Sequence, residues 1–180
     1  MIRVAVQDRH VAVRAGVHAL VQTQPGFGAA GSAEHPREVL GLLYRTDPDV
    51  LVLDEPALVR RVKIEAPRTR VVLYVAEPSP ELLLAAEIAG ADSVVDKAAD
   101  PGDLLRALSG ERVLRSVSLR ARARAAARLE PRDRPIFAMR LAGTSPREIA
   151  GVVGLTVAAL NARVQAIVAQ LSVRPAVSSS

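Results

Sequence analysis

The sequence predicts two folds in series: a doubly wound α/β domain on a parallel five-stranded sheet, then a small all-α domain built on a helix-turn-helix. Three observations carry this. Short, uninterrupted apolar runs recur at steady spacing over residues 1–109, with helical patterns between them. The charge balance reverses near residue 110. Two glycine-containing turns then separate three helical stretches between about 130 and 173.

Taken in order, Ile2–Val6 opens the chain as a strand, and Val13, Val17, Leu20 and Val21 fall on one face of the helix that follows. Val50-Leu51-Val52-Leu53 and Val71-Val72-Leu73-Tyr74-Val75 are continuous apolar runs, as central strands covered on both faces require. Ser93-Val94-Val95 is a shorter run of the same kind. Strands are therefore expected near 2–7, 28–33, 49–54, 70–75 and 92–96, joined by right-handed crossovers. Ser79-Pro80 supplies an N-cap with proline in the first turn, Gly90 a C-cap, and Leu82, Leu83, Ala86 and Ala89 share a face between them.

Residues 110–129, including LRARARAAAR, read as an arginine-rich linker with helical tendency. A compact helical domain is expected over 130–173 and a disordered tail over 174–180. Within the domain, Gly143 suits a C-cap, Ser145 an N-cap, Pro146 the first turn, and Glu148 completes a capping box. Gly154-Leu155-Thr156 is a second tight turn. After it Leu160, Val164, Ile167, Val168 and Leu171 form one apolar stripe.

Composition excludes several classes. No apolar run approaches the roughly 18 residues needed to span a bilayer, and MIRVAV enters a strand pattern at once, so neither a membrane partner nor a signal peptide is expected and a cytoplasmic location is the default. There is no cysteine, hence no disulfide framework and no thiolate metal site. Residues 1–109 hold 12 Lys/Arg against 15 Asp/Glu, whereas residues 110–180 hold 12 Arg against 4 acids. A basic second part suggests a polyanionic partner, and with aromatics at only 2% the expected one is double-stranded DNA held by its phosphates.

GFGAAG at 26–31 matches a dinucleotide-binding pattern, but it follows a helix and enters a strand, so it reads as a turn. His10, His18 and His35 show no metal-ligand spacing, and no serine lies in a nucleophile-elbow context, so no enzyme activity, cofactor or metal is expected. The acids at the strand ends differ. Asp8 follows the first strand, Asp54 ends the third, and Lys97 follows the fifth; the carboxyl ends of central strands converge on one crevice in such a sheet.

With IRVAVQDRH, RAGVHAL, PDVLVLD, APRTRVV, AGADSVVDK and SPREIAGVVGL in this order and spacing, the chain resembles response regulators of the NarL/FixJ type over about residues 2–173. The resemblance implies a flavodoxin-like receiver over 1–109 and a LuxR-type helix-turn-helix over 130–173. By that resemblance Asp54 stands at the phosphoacceptor position, Asp8 at the first acid of the acidic pair, and Lys97 at the phosphoryl-pairing lysine. Arg9 stands where the second acid, a principal Mg²⁺ ligand, is found, and Val75 where a threonine or serine binds the phosphoryl oxygen. An arginine offers no lone pair, so Mg²⁺ binding is doubtful and Asp54 is expected to stay unphosphorylated. Arg9 is expected to ion-pair with Asp54 or Asp8 and lock the crevice.

In the second domain the resemblance places DNA contacts on the helix from Thr156. Its candidate face carries Ala158, Asn161, Ala162 and Gln165, with Asn and Gln suited to adenine, while Arg147 and Arg163 suit phosphates. The expected function is an atypical, phosphorylation-independent response regulator that binds DNA as a transcription regulator. It would act as a homodimer, or as a heterodimer with a related regulator, with room for a small-molecule ligand on the receiver. The alternative is a degenerate regulator that serves as a protein-interaction module without reading DNA.

Overall fold

The computed structural model describes residues 1–113 and 116–173; the expected tail over 174–180 lies outside the described residues. The described chain forms two compact units. One comprises residues 1–78 with the stretch from 90 up to the linker, and the other comprises Ser79–Ala89 with the residues from Ser116 onward.

The first unit holds a sheet of β1 (Ile2–Gln7), β2 (Phe27–Ala33), β3 (Val50–Leu53), β4 (Arg70–Val75) and β5 (Ser93–Asp96) in the order β2-β1-β3-β4-β5. Every pairing is parallel. The five expected strands are present, with ends within a residue of those expected. Continuous apolar runs became the central strands because both sheet faces are covered: every residue of β3 is buried. On one face Val4, Val6, Val50, Val52, Val72 and Val95 pack with Val17 and Val21 of α1 (Val11–Gln22) and with Leu104, Ala107 and Leu108 of α5 (Pro101–Leu108). The alternate residues Ala5, Leu51, Leu53 and Leu73 are equally buried, on the side of α2 (Val39–Thr46) and α3 (Val59–Glu65). Gly26 of the GFGAAG stretch adopts a φ of +86° in the turn between α1 and β2, and the rest of that stretch lies in β2.

The helix of the β4–β5 crossover, α4 (Pro80–Ala89), groups with the second unit rather than with residues 1–109 as the sequence suggested. Ser79 Oγ caps it by accepting from Leu82 N–H at 3.1 Å. Burial is not confined to the expected face: Leu83, Leu84, Ala85, Ala86, Ile88 and Ala89 are all buried, as an all-round apolar helix requires. It packs chiefly against α9 (Val157–Ser172) and also against α6 (Leu119–Arg128) and α7 (Arg134–Leu141). Arg140 of α7 donates through Nε at 3.1 Å and an Nη at 2.9 Å to the carbonyl of Ile88, satisfying an acceptor at the C-terminal end of α4.

The arginine-rich stretch is therefore helical over Leu119–Arg128, with Ala121 and Ala125 buried. The helix-turn-helix is α8 (Pro146–Val153) and α9, whose axes turn through 97° across a Gly154 with φ of +68°. The capping box at α8 is complete: Glu148 N–H donates to Ser145 Oγ at 3.3 Å, and Ser145 N–H to Glu148 Oε2 at 3.1 Å. Thr156 Oγ1 accepts from Ala159 N–H at 3.1 Å and starts α9, whose expected stripe of Leu160, Val164, Ile167, Val168 and Leu171 is buried throughout. No single described helix is long and apolar enough to cross a membrane.

Replacing Ser145 with alanine removes the N-cap of α8 and is expected to lower stability by about 1 kcal/mol. Urea unfolding followed by circular dichroism measures this, and an unchanged midpoint would contradict it.

Candidate functional site

Strand register builds the crevice. Gln7 pairs with Leu53 across β1 and β3, so the next residues, Asp8 and Asp54, emerge side by side, with Asp54 N–H donating to the Gln7 carbonyl at 3.2 Å. Val75 pairs with Asp96, and Lys97 N–H donates to the Val75 carbonyl at 2.9 Å, which delivers the lysine to the same edge. Lys97 Nζ donates to Asp8 Oδ2 and lies 3.8 Å from Asp54 Oδ2. Asp8, Asp54 and Lys97, expected together, are therefore together, and Val75 is buried behind them.

Arg9 is not where it was expected. Its side chain is exposed, and among the described residues no carboxylate pairs with it. The expected Arg9 ion pair with Asp8 or Asp54 is thus corrected: the cation inside the crevice is Lys97. The physical reason is local. Asp8, at 1% exposure, turns inward from the end of β1, and its successor turns outward, where a guanidinium keeps its hydration.

The side chain that reaches Asp8 instead is His10, from an exposed position at the rim. Its backbone N–H donates to Asp8 Oδ1 at 2.8 Å, and its Nδ1 lies 3.0 Å from the same oxygen. Ligand atoms of Asp8, His10 and Asp54 lie within 4.8 Å of one another, a grouping that the spacing among the three histidines does not show. The signal was in the sequence: a histidine two residues past a strand-end aspartate can fold back onto it.

Burial works to raise the Asp8 pKa, but the hydrogen bonds from Lys97 and from His10 N–H, with the lysine charge, outweigh it and hold the carboxyl below its usual range. The Arg14 guanidinium adds a donor to the Asp8 carbonyl at 2.6 Å. Burial, then the charges of Asp8 and Asp96, push the Tyr74 phenol up.

These residues do not fit Mg²⁺. That ion takes near-octahedral oxygen ligation. Here the clustered third donor is an imidazole, one Asp8 oxygen receives His10, and the other receives Lys97. No step through that ion follows from this arrangement.

In the second unit, Arg147 is exposed in the first turn of α8, and Ala158 and Ala162 are exposed on α9. Thr156 is engaged as the cap, and Asn161 and Gln165 are half-buried. Arg163 lies 2.9 Å from Asp133 Oδ1, so the guanidinium expected to meet phosphate already has an internal counter-charge. Ala166 and Ala169 continue the exposed side of α9, so Ala158, Ala162, Ala166 and Ala169 form an alanine ridge. This ridge runs beyond the face expected from the sequence, which ends at Gln165.

No family model matches the chain. It is 26% identical over 195 residues to the nitrate/nitrite response regulator protein NarL of Escherichia coli K12, covering 96% of this chain and 90% of that one. Among solved structures, RcsB from Salmonella enterica serovar Typhimurium, bound to promoter rprA in the presence of phosphomimetic BeF3-, superposes with a TM-score of 0.59. The identity is 20%, over 98% of this chain and 95% of the other. A LuxR-family two-component response regulator from Aurantimonas sp. SI85-9A1 gives a TM-score of 0.58 at 23% identity, over 78% of this chain and 95% of that one. The chain is thus similar to NarL over nearly its whole length and shares its fold with these solved response regulators.

The Asp8 shift fixes a pH dependence. A depressed carboxyl contributes stability that is present above its unfolded pKa near 3.8 and is lost as pH falls through the lower folded value. Lys97→Met, which leaves a buried carboxylate short of its cation, is expected to lower stability at neutral pH by about 1–3 kcal/mol. The gap to wild type should narrow as pH falls through the carboxylate range, read by urea unfolding at stepped pH. A gap independent of pH would contradict the assignment.

Proposed function

We propose that this chain is a phosphorylation-independent response regulator that binds duplex DNA as a homodimer and regulates transcription. One observation carries the phosphorylation claim: Lys97 pairs with both Asp8 and Asp54, in a crevice where Arg9 stands in place of the second member of the acidic pair. Phosphoryl transfer to a carboxylate depends on positioning and charge neutralisation, for which a divalent cation is the usual agent. Val75 supplies no hydroxyl to receive a phosphoryl oxygen.

The intact helix-turn-helix supports the DNA claim. The exposed side of α9 would enter the major groove, with Asn161 and Gln165 at adenine edges, the methyls of Ala158 and Ala162 against thymine, and Arg147 on a phosphate. A dimer would place two such helices on paired half-sites.

A receiver not governed by phosphate is free to answer a ligand. A groove of about 600 Å³ lies between α1 and α5, lined by apolar residues such as Val13, Leu20 and Leu104, with Tyr74 and Lys97 among its walls. That is the size of a small-molecule site. Because Lys97 is shared with the crevice, a ligand there would act on the Asp8–Asp54 pair.

A second reading, a heterodimerising partner of a related regulator that reads no DNA, is favoured by the alanine ridge and by the Asp133–Arg163 pair. Selection of bound sequences from a random duplex pool separates the two. An enriched palindrome supports the first reading, and no enrichment supports the second.

Treatment with acetyl phosphate and Mg²⁺ is expected to leave Asp54 unmodified by intact-mass spectrometry; stoichiometric addition of one phosphoryl group would refute phosphorylation independence. Arg147→Ala is expected to weaken binding to all duplexes alike and to reduce the slope of log affinity against log salt by about one. A loss confined to the selected sequence would instead make Arg147 a base reader.

A further inference from the structure

Helix α6 carries Arg120, Arg122, Arg124 and Arg128 and no acid. Its small residues Ala121 and Ala125 are buried, which turns Arg120, Arg124 and Arg128 outward. Spaced four apart, the three lie in one exposed row along the helix, about 6 Å of rise per step. Like charges at this spacing destabilise a helix, and an arginine in the first turn also opposes the helix dipole. The Ser118 cap and Arg128 in the last turn favour the helix, but the row itself is unpaired: among the described residues the Arg120 and Arg124 side chains have no ion pair or hydrogen bond, and the Arg128 guanidinium reaches only a carbonyl, that of Gln170, at 3.5 Å. A row held unpaired at the expense of its own helix is built for a charge outside the chain.

The recognition helix lacks such charge. The exposed side of α9 is alanine at 158, 162, 166 and 169, and its one arginine is tied to Asp133. Phosphate neutralisation supplies most of the baseline affinity of DNA-binding proteins, so a duplex held by this unit needs its cations elsewhere. The α6 row is joined to the exposed end of α9. Gln170 Nε2 donates to the Arg128 carbonyl at 2.7 Å, and Ala169 and Gln170 are exposed beside that junction.

We propose that α6 is a phosphate-gripping helix: Arg120, Arg124 and Arg128 hold the backbone of the duplex that α9 reads. This rests on the DNA-binding reading above. Charge and sequence reading are then divided between two helices, with α6 supplying sequence-independent attraction and α9 the close, small-residue approach to the groove.

The test uses the full chain, fluorescence anisotropy on a selected and a scrambled duplex, and a salt series. Combined Arg120→Ala, Arg124→Ala and Arg128→Ala substitutions replace exposed residues with the best helix former, so the fold is retained. The expected result is a fall of about 2–3 in the slope of log affinity against log salt. Both duplexes should weaken by the same factor, and the corresponding Arg→Lys triple should keep the wild-type slope. A wild type that binds duplex DNA while the alanine triple retains its slope overturns the α6 proposal alone and leaves the row for an acidic protein surface. A wild type that binds neither duplex overturns the DNA reading and the α6 proposal together.

Discussion

The parallel register of β1 against β3 is the constraint on which the first unit turns. Pairing Gln7 with Leu53 forces two carboxylates out of the same edge of the sheet, one of them almost wholly buried. The buried Asp8 carboxylate needs a counter-charge, and β5 delivers Lys97 to both acids. The site is settled by that lysine, not by Arg9, and its third member is the imidazole of His10. A phosphoryl-transfer crevice usually recruits its cation from solution. Here a lysine of the chain itself pairs with both acids and ties the ends of β1, β3 and β5 together.

The second unit depends on a different economy of side chains. The apolar stripe of α9 is used entirely for burial, against α8 on one side and the all-round apolar α4 on another. What remains outward is small. α4 is covalently the crossover between β4 and β5, yet its side chains are buried among the C-terminal helices, with the Ile88 carbonyl near its end held by Arg140. The strand ends that carry Val75 and Lys97 are therefore linked through the chain to a helix that forms part of the core behind α9. Arginines sit where burial does not use them, on α6 and in the first turn of α8, and so the basic character of this half concentrates on surfaces other than the outward side of α9.

What the sequence determined by itself is what depends on neighbours along the chain. Strand positions followed from apolar runs, the helix-turn-helix from Ser145, Glu148, Gly154 and Thr156, and the α9 stripe from its period, because hydrogen bonds and capping within a few residues fix these elements. The meeting of Asp8, Asp54 and Lys97 was readable too, since in a parallel sheet every strand brings its carboxyl end to one edge. Tertiary structure decided the rest. The side-chain directions at the end of β1 put Asp8 inside and Arg9 outside, with the exposed His10 folded back onto Asp8 from the rim, a choice made by competition between hydration and a lysine nearly ninety positions away. The unit that buries α4, and the acid that occupies Arg163, were settled by long-range packing, which no local period encodes.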